Sequence, residues 1–128
     1  MLLRTTVLIT RLLMPILLCF LASCPYQVIA QHQNQAVILQ YHHVSTQTPP
    51  ITSLSPEAFY THMDYLDENG FSVLPLQDVI ASLRNGDLLP DKTAVITFDD
   101  GYTSVFEAAY PALKARGWPF TIFVTTGL

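Results

Sequence analysis

The stretch Thr93-Ala94-Val95-Ile96-Thr97-Phe98-Asp99-Asp100-Gly101-Tyr102 decides how the rest of the chain is read. Its first six residues are apolar or β-branched, which predicts a strand buried on both faces. Two carboxylates and a glycine follow at once. In parallel α/β folds, ligands bind beyond the carboxyl ends of the strands, so the pair is expected at the rim of a core. Adjacent residues leaving a strand point in different directions. One carboxylate can then face a metal while the other faces a water on that metal. Gly101 permits a tight turn and close approach of a ligand to backbone. An Asp-Asp-Gly turn before a helix is also common on solvated surfaces; the apolar strand directly ahead of it favours the rim.

Working outward, residues 36–41 (AVILQY) form a second short apolar run and predict another buried strand. His42 and His43 stand at its carboxyl end. If the two strands share one parallel sheet, the histidines and the aspartates lie on the same rim, where a histidine can be a metal ligand or a general acid. Residues 46–53, with Pro49-Pro50, read as loop. Ser55-Pro56-Glu57 is a helix start: N-cap, proline at the first position, acid in the first turn. That helix runs to about residue 69 with Phe59, Met63 and Leu66 on one face, and Gly70 ends it. Residues 71–74 predict a strand. Residues 76–84 predict a helix with Val79, Ile80 and Leu83 on one side. Residues 104–116 predict a third helix that Pro111 breaks or kinks, and 120–124 a final strand. Strand and helix alternate throughout, which implies an α/β fold with parallel strands and right-handed crossovers. Tyr60 and Tyr65 read as packing or surface residues, and His32 and His62 receive no role.

Composition narrows the function. The first 30 of the 128 residues contain 21 hydrophobic ones and only two charges, Arg4 and Arg11. A basic flank, a short apolar run over 12–22 and small residues after it predict a secretory signal peptide. Val28-Ile29-Ala30 suits cleavage before Gln31. Leu21-Ala22-Ser23-Cys24 instead resembles a lipobox, in which the leader ends at Ser23 and Cys24 is lipidated. Either route takes the protein out of the cytoplasm, to the periplasm, the outside or the outer membrane. A transmembrane anchor is the competing reading, but the run is short for a span of about twenty residues. Beyond residue 30 stand four basic and ten acidic residues, net −6. That argues against a nucleic-acid partner, which needs a basic face. Both cysteines, Cys19 and Cys24, lie in the leader, so the remainder has neither a disulfide framework nor a thiolate metal site. The expected organisation is leader 1–30, a short linker 31–35 and one domain over 36–128.

Residues 97–102 (TFDDGY) resemble the first signature of the polysaccharide deacetylases, the NodB-homology family of carbohydrate esterases. Tyr41-His42-His43-Val44 upstream of that signature is similar to the branch with permuted motif order, the extracellular poly-N-acetylglucosamine deacetylases of biofilm systems. Residues 69–74 (NGFSVL) and 118–124 (WPFTIFV) fit the same branch. The resemblance covers about residues 36–128. It implies a distorted (β/α) barrel of which this chain holds the N-terminal part, incomplete. It also implies that Asp99 is the general base, Asp100 a ligand of a divalent metal, and His42 the general acid. A metal polarises an amide carbonyl and lowers the pKa of a bound water. Asp99 would take the proton from that water, and His42 would protonate the departing sugar amine.

The resemblance also implies two further metal-ligand histidines after the fourth strand, and no histidine follows His62. A divalent site normally needs three protein ligands, so the 128 residues alone are expected neither to hold metal tightly nor to turn over. Carboxylate with imidazole suits zinc, and also nickel, cobalt or iron. The expected partner is a polysaccharide, poly-N-acetylglucosamine first, with chitin oligomers and peptidoglycan as alternatives. A membrane enters only through the leader or a lipid on Cys24. Two other readings stand beside this one. A glycan-binding remnant without turnover needs no complete metal site. A magnesium phosphohydrolase needs two aspartates separated by one residue, whereas Asp99 and Asp100 are adjacent.

Overall fold

The computed structural model describes residues 34–127. The leader, its two processing sites and His32 lie outside them. Six strands and three helices follow in order: β1 (Ala36–Tyr41), β2 (His43–Val44), β3 (Ser53–Leu54), α1 (Pro56–Glu68), β4 (Ser72–Val73), α2 (Leu76–Asn85), β5 (Thr93–Asp99), α3 (Tyr110–Arg116) and β6 (Thr121–Phe123). Every strand pairing is parallel. The expected α/β alternation is therefore the observed one.

β5 is the axis of the main sheet. β1 runs along one edge of it in full register, from Ala36 opposite Thr93 to Tyr41 opposite Phe98. β4 pairs with its beginning, at Thr93 and Ala94, and β6 with its end, at Thr97 to Asp99. The apolar composition of β5 is used on both faces. Ala94, Ile96 and Phe98 join Tyr41, Phe59, Met63, Leu66, Ala109 and Leu113 in the larger core. Val95 points the other way and packs with Val79 and Leu89. Thr93 and Thr97 are buried polar residues on that second face. Their hydroxyls donate to the Pro90 carbonyl (2.7 Å) and, weakly, to the Leu39 carbonyl (3.4 Å), as burial of a hydroxyl requires.

The sequence signals of α1 act as expected. Ser55 Oγ accepts from the Ala58 amide (3.2 Å), Pro56 opens the helix, and Phe59, Met63 and Leu66 are buried. Three expectations need correction. Residues 46–53 are not all loop: 50–52 form a single 3-10 turn, and Ser53–Leu54 pairs with His43–Val44 in a two-stranded ribbon. In α2 only Val79 is buried, while Ile80 and Leu83 are 38% and 44% exposed. Val79 packs with Val95 and Leu89, flanked by Ala36, Leu74 and Leu76, and Ile80 and Leu83 lie beside that small cluster. Pro111 does not break its helix. It has no N–H to give and its ring crowds the turn before it. The chain absorbs this as a wider π turn over Val105–Ala109, closed by the Tyr110 amide on the Val105 carbonyl, and continues as α3.

Candidate active site

Period-two alternation and the register of β1 on β5 build the site. Tyr41 lies opposite Phe98 and faces the larger core, with ring centroids 5.6 Å apart. Gln40 and His42 therefore face the other way, and so does Asp99, one residue past Phe98. Gln40 Nε2 donates a short hydrogen bond to Asp99 Oδ2. His42 Nε2 stands 3.7 Å from the same oxygen. The two side chains are 38% and 22% exposed.

Asp99 and Asp100 diverge, as expected. Asp100 has φ 66° and Gly101 φ 72°, two left-handed residues in succession. Aspartate tolerates that region better than most residues, and glycine adopts it freely. The Gly101 amide closes the turn on the Asp99 carbonyl (2.9 Å). A Cβ on Gly101 would stand 3.4 Å from Val124 Cγ1, so a side chain there meets both strain and contact.

The turn carries Asp100 away from Asp99. Its Oδ1 accepts from Thr125 Oγ1 (2.9 Å), on the segment after β6. The Tyr102 hydroxyl bonds the same carboxylate, and that bond, followed by desolvation and the carboxylate's charge, raises the phenol above its usual pKa. Tyr102 in turn stacks on His43, with ring centroids 3.6 Å apart. His43 thus packs against the rim turn, while His42 faces Asp99. The adjacent histidines are separated in space in the same way as the adjacent aspartates.

Behind this rim, the Tyr41 hydroxyl and His62 Nδ1 are 3.1 Å apart. Burial pushes the Tyr41 phenol up to about 12. Gln40, Tyr41, His42, His43, Leu54 and His62 border a cavity of about 210 Å³ beside the His42–Asp99 pair. The structure therefore joins His42 to Asp99 and places Asp100 on a neighbouring arm. Sequence reasoning missed Gln40, Tyr102, Thr125 and the contact of His62 with Tyr41. Gln40 carried one signal, as the single polar residue in an apolar run.

Among the described residues, no group of three or more histidine, cysteine or acidic side chains is arranged to hold a metal ion.

The family model for polysaccharide deacetylase matches residues 87–128. The poly-beta-1,6-N-acetyl-D-glucosamine N-deacetylase of Escherichia coli (strain K12) is 32% identical over 88 residues, which span 67% of this chain and 13% of that protein. Among solved structures, IcaB from Ammonifex degensii superposes with a TM-score of 0.63 at 34% identity, covering 73% of this chain and 39% of that one. The Streptococcus pyogenes deacetylase PplD, solved in complex with acetate, gives a TM-score of 0.64 at 30% identity, covering 73% and 43%. The chain spans less than half the length of each of these relatives.

Proposed function

We propose that this chain is part of a polysaccharide deacetylase, the family whose model matches residues 87–128 and whose solved members it resembles, and that it serves metal-dependent N-deacetylation of an extracytoplasmic N-acetylglucosamine polymer. The observation that carries the reading is His42 Nε2 at 3.7 Å from Asp99 Oδ2 on an accessible rim. A base and an acid are held together where β1 and β5 end. Poly-β-1,6-N-acetylglucosamine is the favoured substrate, because a relative aligned over two thirds of this chain is named for it.

In this reading Asp99 accepts a proton from the attacking water at a carboxylate oxygen. His42, as imidazolium, delivers a proton from Nε2 to the leaving amine when the C–N bond breaks. The products are acetate and a glucosamine unit. Amines are poor leaving groups unless protonated, so the acid is needed for an amide. Divalent-metal use belongs to this family. Asp100 is the ligand this segment contributes to it, with zinc the first expectation and nickel, cobalt or iron alternatives. The two histidine partners are expected elsewhere in the polypeptide. Zinc titrated into the 128-residue chain alone should bind weakly; tight stoichiometric binding would contradict that assignment. Export through the leader supplies the extracytoplasmic setting, with a lipid on Cys24 as the membrane alternative.

The acid role has a direct test in the protein expressed from its complete reading frame. His42→Ala should lower acetate release from an N-acetylglucosamine oligomer about 100-fold or more. On an activated acetate ester, whose leaving group needs no proton, the same variant should keep most of its rate. An equal loss on both substrates sinks the assignment.

A further inference from the structure

We propose that Gln40 is a positioning residue that holds the Asp99 carboxylate in its working orientation, an inference that rests on Asp99 acting as the base. Gln40 and Asp99 lie 59 residues apart in sequence, and the pairing of β1 with β5 brings them together. A carboxylate offers only acceptors, so the amide nitrogen of Gln40 must be the atom that faces it. A hydrogen bond to an ionised group is stronger than one between neutral partners.

The placement is selective. Among the described residues, Gln40 Nε2 and His42 Nε2 both address Oδ2 of Asp99. That leaves Oδ1 as the oxygen free to take a proton from water. A carboxylate at a strand end otherwise rotates about its last side-chain torsion, which is broad and roughly two-fold. One fixed donor removes that freedom. Gln40 itself is exposed at the end of β1 and has no packing role in either core. Its replacement should therefore leave the fold intact.

Two measurements test the proposal together. In the 128-residue chain, the side-chain amide resonances of Gln40 should be shifted from free glutamine values, and Asp99→Ala should return them. In the protein from the complete reading frame, Gln40→Ala should lower kcat about tenfold to a hundredfold with KM nearly unchanged. Gln40→Glu has the same shape but presents a second carboxylate, and should lose more than Gln40→Ala. Gln40→Arg keeps a donor at that reach and should recover most of the lost rate. Amide resonances indifferent to Asp99→Ala overturn the contact, whatever the activity. An unchanged kcat in Gln40→Ala, or equal losses in Ala and Glu, overturns the positioning role. No acetate release by the wild-type protein overturns the deacetylase reading and the catalytic part of this one, while the amide resonances still report the contact.

Discussion

His42 meets Asp99 because each is one residue past a core aromatic, Tyr41 and Phe98, that lie opposite one another. Tyr41 is the residue on which this arrangement leans. Its ring packs against Phe59 and Phe98, and its hydroxyl reaches His62. Burial raises its pKa from 10 to about 12, so above pH 10 the unfolded chain releases the phenolic proton more readily than the folded one. Stability is therefore unaffected by this group below pH 10 and falls as pH rises from 10 to 12. Urea midpoints measured from pH 8 to 12 should fall less steeply for Tyr41→Phe than for wild type; parallel curves would contradict this. At this scale the sequence was legible for placement: Asp99, Asp100 and His42 stand at the strand ends where the apolar runs put them. Gln40 and Thr125 were not, because their partners are 59 and 25 residues away and only strand register brings them close.

Elements were most legible where local chemistry sets them. Ser55 at the N-cap of α1 is such a case, and Ser55→Ala should cost about 1 kcal/mol in denaturant unfolding. A loss below a few tenths would mean that the Oγ contact with the Ala58 amide contributes little. The Asp100-Gly101 turn is another. Gly101→Ala should destabilise by about 1 kcal/mol or more, since alanine at positive φ is strained and its Cβ meets Val124. What the sequence hid are features decided by neighbours. The β2–β3 ribbon forms because Ser53 and Leu54 find His43 and Val44, which no local propensity records. The exposure of Ile80 and Leu83 reflects how little surface α2 covers. The π turn before α3 is a compromise between Pro111 and the burial of Val105, Ala109 and Leu113 on one face.

The whole molecule is organised by β5, and its larger core closes over Phe59 and Phe98. Phe59→Ala should cost about 3–5 kcal/mol, read from urea unfolding, because a fully buried ring leaves a cavity. A loss near 1 kcal/mol would mean that the core collapses around the vacancy. The alternation of elements made the parallel sheet legible, since no short turn can join parallel strands. The division of one β5 edge between β4 and β6 was not legible, because it depends on where each crossover lands. That division leaves the end of β5, with Asp99, between β1 and β6, and so creates the rim where Asp99 and His42 meet. The most direct test of the central claim uses the protein from its complete reading frame and a β-1,6-linked N-acetylglucosamine oligomer. Acetate and free amine are followed together by NMR for wild type and Asp99→Asn. Wild type should give equal amounts of the two products, and the variant should lose about 100-fold or more. No acetate from wild type, or release indifferent to Asp99→Asn, would contradict it.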